Sequence, residues 1–94
     1  MAAYLVFTRI RTKDQAALDR YFNSGELFDE LPFEPLVTYG QQEVLEGEDH
    51  EGMVVLEFPG AQTARDWYDS PAYRTARAHR FAGADYQVTL VEGV

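Results

Sequence analysis

The chain contains no cysteine, which excludes disulfides, a thiolate nucleophile and any cysteine-based metal site. Between Tyr21 and Ala64 there is no Lys or Arg, while the same stretch holds ten Asp or Glu. No apolar run approaches the roughly 20 residues a membrane-spanning helix needs. No secretory leader is visible at the N-terminus, so the expectation is a cytoplasmic protein. Serine is reduced to Ser24 and Ser70 and histidine to His50 and His79. No acid stands at a spacing that would orient either histidine, so a nucleophile–base pair cannot be read off.

The charge is one-sided, with a formal net charge of −8 over 94 residues. An acidic chain without a basic tract is a poor match for nucleic acid. The eight basic residues form two groups. Arg9, Arg11, Lys13 and Arg20 lie early, and Arg65, Arg74, Arg77 and Arg80 lie late. Asp66, Asp69 and Asp85 interrupt the second group, which reads as a solvated helix face. The cluster Glu48, Asp49, His50 and Glu51 has hard-metal ligand types. It lacks the spacing of a calcium loop, and adjacent residues cannot all converge on one ion, so it is a solvated acidic turn and no metal is expected.

What the chain has is aromatic bulk, 14% Phe, Trp and Tyr. A chain of this length makes one domain, residues 1–94, near the small end of what folds on a single core. With large side chains and few layers to bury them, a second copy is the economical partner, so a homodimer is expected.

Ala3 to Ile10 is rich in strand formers, with Tyr4, Val6, Thr8 and Ile10 on one face and Leu5, Phe7 and Arg9 on the other. Both faces are mostly apolar, so this is a central strand. Arg9 either reaches solvent at the strand end or stands at the rim of a pocket. Thr12 or Asp14 caps a helix starting near Lys13, with Ala17, Leu18, Tyr21 and Phe22 at helical spacing. Asn23-Ser24-Gly25 stops or kinks it, Glu26 to Leu31 forms one more turn, and Pro32 and Pro35 end helix. Leu36 to Leu45 reads as a second strand, with Gly40 marking a bulge or a close backbone approach. Gly47 to Gly52 is a hairpin loop, and Met53 to Phe58 is a third strand.

Pro59-Gly60 turns the chain into a helix from Ala61 that places Ala64, Trp67 and Tyr68 on one side. Ser70-Pro71 then restarts it, with Ser70 as N-cap and Pro71 at the first helical position. Tyr73, Ala76, Arg77 and Arg80 share a stripe that Phe81 continues, and Gly83 ends the helix. Tyr86 to Val91 is the last strand. The order βαββαβ in one small domain predicts an α+β, ferredoxin-like sandwich: a four-stranded antiparallel sheet with two helices on one face. The other face, expected to carry Leu5, Phe7, Met53, Val55 and Val91, needs covering.

These residues also carry a resemblance. Tyr4-Leu5-Val6, Glu43-Val44-Leu45-Glu46-Gly47, Val54 through Pro59, Ala64 through Tyr73, Arg80 and Val91-Glu92-Gly93 resemble the domain-of-unknown-function family 1330 over nearly the whole chain. Its most specific part runs from Phe58-Pro59 to Ser70-Pro71-Ala72-Tyr73. The resemblance implies a dimeric α+β barrel, in a wider group that includes cofactor-free monooxygenases, lactone isomerases and haem enzymes; it implies no particular reaction. Pro32 to Pro35 replace the paired glycines usual before the second strand, and Arg9 stands where an acidic residue is more usual.

Two readings of function remain open. One is a small dimeric enzyme, monooxygenase- or isomerase-like and without a tightly bound cofactor, acting on a small apolar or aromatic metabolite in a cavity between sheet and helices. Glu57 or His79 would move protons, and Arg9 or Arg80 would hold a developing negative charge. Glu57 stands out as a charge on a two-sided strand, and it requires a partner, water or a ligand. The other reading is a non-catalytic small-ligand-binding or accessory module using the same cavity. The candidate ligand contacts are Phe7, Arg9, Trp67, Tyr73 and Arg80. Trp67 and Tyr68 suit stacking on a ligand as well as core packing, and Tyr73 and Arg80 suit helix-to-sheet packing with a salt bridge.

Overall fold

The computed structural model describes residues 1–24 and 32–94. The helical turn expected over 26–31 lies outside these residues. The described elements are β1 (Ala3–Thr12), α1 (Gln15–Phe22), β2 (Glu34–Thr38), β3 (Gly52–Phe58), α2 (Ala61–Tyr68), α3 (Pro71–Gly83) and β4 (Ala84–Glu92). The strands form one antiparallel sheet in the order β2-β3-β1-β4. This is the ferredoxin-like arrangement, with β1 central.

The register sorts the side chains. Leu5 pairs with Leu56 and with Leu90, and Phe7 pairs with Val54 and with Val88. Alternation then puts Ala3, Leu5 and Phe7 on one face together with Leu56 and Phe58, and all five are buried. This face lies under the helices and shares one core with Leu18, Trp67, Tyr73 and Ala76. The expectation that Leu5 and Phe7 lie on the open face is therefore corrected. Their cross-strand partners are core residues, and pleating forces them inward with those partners. The open face carries Tyr4, Val6, Met53, Val55 and Glu57, all only half-buried, and the more exposed Val91.

β2 is shorter than expected. It covers Glu34–Thr38 instead of Leu36 to Leu45, and its irregularity falls between Pro35 and Val37, not at Gly40. The ladder ends at Tyr39, whose N–H donates to the Met53 carbonyl at 2.9 Å. Tyr39 adopts φ 53°, the left-handed region, which turns the chain out of the strand direction.

Helix boundaries follow their caps. Asp14 accepts from the N–H groups of Ala16 and Ala17 to start α1. Ser70 Oγ accepts from Tyr73 N at 3.3 Å, with Pro71 in the first turn of α3. α3 runs into β4 without a loop. α1 lies against the end of α3, where a Cβ on Gly83 would sit 2.6 Å from Leu18 N. The Gly83 carbonyl accepts from Lys13 N at 2.7 Å and from Asp14 N at 3.0 Å. Among the described residues, no helix is long and apolar enough to cross a membrane.

The stripe expected on α3 is only partly inward. Tyr73, Ala76 and Arg80 are buried, but Phe81 is 55% exposed. The late arginines also divide. Arg65 and Arg77 pair with Asp69 at 3.1 and 3.7 Å near the surface. Arg80 does not belong to a solvated face at all, because its position places it under the sheet-facing side of the helix.

Candidate functional site

The aromatic content is concentrated in one array. Phe33 meets Phe58 and Trp67 edge-on, with ring centroids 5.2 and 5.1 Å away. Trp67 lies 4.1 Å from Tyr73, and Tyr73 is edge-on to Tyr21 at 6.2 Å. Beside this array is a cavity of about 670 Å³, within the range typical of small-molecule sites. It lies on the helix side of the sheet. Its floor is Phe7 and Arg9 of β1, Val54 and Leu56 of β3 and Tyr86 of β4. Its walls are Tyr21 and Phe22 from α1, Trp67 from α2, and Phe33, Pro35, Thr38 and Tyr39 around β2.

One corner is polar. The left-handed turn at Tyr39 folds its ring back over Gly52, where a Cβ would lie 2.6 Å from Tyr39 Cδ1. Only glycine leaves that space. The Tyr39 hydroxyl shares a hydrogen bond with the Tyr86 hydroxyl at 2.5 Å. The Arg9 guanidinium lies over the Tyr39 ring, 4.8 Å from its centroid. Arg9 Nε is 3.0 Å from Glu51 Oε1, but its N–H is not aimed at that oxygen and has no aligned acceptor. Glu51 is held from the other side, accepting from Thr12 N at 3.1 Å and Thr12 Oγ1 at 2.6 Å. Those two bonds first, and Arg9 second, hold its carboxyl below the usual range. The acidic turn is thus not wholly solvated, since its last residue is an anchor for the cavity rim.

Behind the floor lies a second polar group. The Tyr21 and Tyr73 hydroxyls are 2.7 Å apart and buried. Arg80, 2% exposed, donates to the Tyr68 hydroxyl at 3.2 Å. Its guanidinium sits 5.7 Å from the Phe7 ring and 5.1 Å from the Tyr86 ring. No carboxylate among the described residues pairs with it, and its Nε has no acceptor. The salt bridge expected for Arg80 is therefore absent among these residues, because the helix face it occupies meets aromatic rings instead of acids. Burial raises the pKa of Tyr21, Tyr39 and Tyr73, so all three keep their protons and act as neutral hydrogen-bonding groups.

The residues singled out from sequence therefore separate. Phe7, Arg9 and Trp67 line the cavity, and Tyr73 and Arg80 stand one layer behind it, touching lining residues. Glu57 does not reach it. Pleating puts Glu57 on the opposite face, where it pairs in register with Tyr4, accepts a hydrogen bond from it and raises its pKa. His79, on α3, is not among the lining residues. Sequence reasoning missed Tyr39, Tyr86 and Glu51 as site members. A glycine at position 52 facing a tyrosine across a hairpin is the signal that could have found Tyr39. Nothing in the spacing points to Tyr86.

A four-stranded antiparallel sheet with a helix-side aromatic cavity is a ferredoxin-like α+β architecture, and the comparisons agree. RPA0582, a protein of unknown function from Rhodopseudomonas palustris, is similar at TM-score 0.75 and 21% identity, covering 99% of this chain and 82% of that one. A dimeric ferredoxin-like protein of unknown function from Jannaschia sp. CCS1 is similar at TM-score 0.73 and 15% identity, covering 99% and 100%. SnoaB, a cofactor-independent oxygenase from Streptomyces nogalater, is similar at TM-score 0.60 and 8% identity, covering 98% and 91%. No curated protein matches the chain. The family model for the domain of unknown function DUF1330 matches residues 2–94. The chain belongs to that family.

Proposed function

We propose that this protein binds a small, flat, aromatic or otherwise apolar molecule in the cavity between sheet and helices, and that it does so as a homodimer. One observation carries the reading: a 670 Å³ cavity walled by rings and aliphatic side chains, with its polar groups gathered at one corner. Such a site takes its affinity from apolar burial and its orientation from a few placed polar groups.

The dimer is supported by the description of the Jannaschia protein as dimeric and by the open sheet face. Val6, Met53 and Val55 stand there without a covering layer among the described residues, and leaving such side chains wet costs roughly 1.5–3 kcal/mol each. A two-fold partner on that face removes the cost.

Fold likeness to SnoaB and the Arg9–Tyr39–Tyr86 corner favour a second reading, cofactor-free oxygenation. A guanidinium and two hydroxyls suit a developing negative charge. The cavity lining includes no carboxylate and no histidine among the described residues, so binding is the better supported function. Calorimetry with a panel of bicyclic aromatic compounds tests it. Micromolar binding that Trp67→Ala weakens is expected, and a panel without binders refutes it. Oxygen uptake on any binder would establish the second reading.

A further inference from the structure

We propose that the natural occupant of the cavity is an aromatic carboxylate, its ring among the aromatic walls and its carboxylate on Arg9. This rests on the reading that the cavity binds small aromatic molecules, and it adds the charge of the ligand.

The chain as a whole carries a net charge of −8, yet among the described residues this region holds two guanidiniums, Arg9 and Arg80, and one carboxylate paired with either, Glu51. That carboxylate is fixed to Thr12 by two hydrogen bonds. Its Oε1 lies 3.0 Å from Arg9 Nε, and the N–H there has no aligned acceptor. The Arg9 guanidinium lies over the Tyr39 ring, 4.8 Å from its centroid, and Arg9 lines the cavity floor. A planar guanidinium is matched to a planar carboxylate.

Arg80 adds a second positive charge behind the cavity floor. It is 2% exposed, with an unpartnered Nε and no acid within ion-pair distance among the described residues. A buried cation without a counter-charge is costly, and the rings of Phe7, Phe81 and Tyr86 around it offset part of that cost. Phe7 and Tyr86 are also cavity lining, so a ligand anion on Arg9 sits on the far side of the rings that Arg80 faces. In a medium of low dielectric the second charge reinforces the first. A neutral ligand would fill the space and leave both charges as they are.

The test compares two probes of nearly one shape, 2-naphthoate and 2-naphthamide, titrated into the full chain by calorimetry. The carboxylate is expected to bind at least roughly tenfold tighter, with a preference that shrinks as sodium chloride is raised. Arg9→Gln is expected to bring the two probes level, and Arg9→Lys to keep part of the preference. Equal or tighter binding of the amide by the wild-type protein overturns the charge assignment and leaves the cavity reading standing. Failure of both probes to bind overturns the two together. A preference that survives Arg9→Gln in folded protein removes Arg9 from the role. If that variant does not fold, the salt dependence and Arg9→Lys decide.

Discussion

Replacing Gly83 by alanine tests the packing that positions one wall of the cavity. The new Cβ would lie 2.6 Å from Leu18 N, 2.9 Å from Leu18 Cα and 3.0 Å from Leu18 Cβ. The nearest of these are backbone atoms, so no rotamer change relieves the clash. Nor does α3 slide away freely, because the Gly83 carbonyl is tied to Lys13 N and Asp14 N. Overpacking of this kind costs about 1–3 kcal/mol. Restricting the unfolded chain by a glycine-to-alanine change returns about 0.4–1 kcal/mol. The net expectation is a loss of about 1–2 kcal/mol, or roughly 5–15 °C in melting midpoint for a domain this small. Gly40→Ala is the control, since nothing lies within 4 Å of its added Cβ; it should be neutral or slightly stabilising. Urea and thermal melts read both. α1 must move to make room and it carries Tyr21 and Phe22, so Gly83→Ala should also change the affinity for aromatic probes. A Gly83→Ala protein as stable as the wild type would refute the close approach of α1 and α3.

Four further outcomes are expected. Tyr73→Phe removes a buried hydroxyl bonded to Tyr21 at 2.7 Å and should cost about 1–3 kcal/mol in denaturant melts; an unchanged midpoint would contradict the buried pairing. Ser70→Ala should cost about 0.5–1 kcal/mol, the low end for caps because its bond to Tyr73 N is long at 3.3 Å. The carboxyl of Glu51 titrates below its ordinary 4.5 in the folded state, so its contribution is complete above that pH and is lost as pH falls through the lower folded value. Glu51→Gln should therefore melt earlier than the wild type at neutral pH, with the difference closing in acid. Light scattering at micromolar concentration should give twice the 10.7 kDa chain mass, and a clean monomer would defeat the homodimer.

The parts of the fold that were legible in the sequence are those with short-range causes. Ser70-Pro71 and Asp14 mark helix starts because capping is decided within three residues. Phe7 and Arg9 share a face because strands alternate. Which face that is depends on pairing with Leu56 and Leu90, residues far along the chain, and so Leu5 and Phe7 were expected on the wrong side. Glu57 drew notice as a charge in an apolar strand, but its partner Tyr4 sits across the sheet, away from the cavity. The polar corner depends on a positive φ at Tyr39 and on space left by Gly52, neither of which has periodicity. Arg80 resembled its neighbours Arg74 and Arg77 in sequence, and only three-dimensional packing separates a buried guanidinium from surface ones.

The placement of β1 also has a consequence for biosynthesis. It lies in the middle of the finished sheet but is made before both of its partners, β3 and β4, which begin only at Gly52 and Ala84. While the chain emerges from the ribosome, a ten-residue strand with apolar side chains on both faces waits for neighbours not yet translated. Its ladder with β3 can close once Phe58 is made, but its ladder with β4 waits for Ala84–Glu92, so a native sheet containing both forms only after β4 is made. Contacts of such long sequence separation are slow to form, and an unpaired apolar strand is a site of misassociation while it waits. During synthesis the demand for protection is therefore greatest at the segment that ends most enclosed.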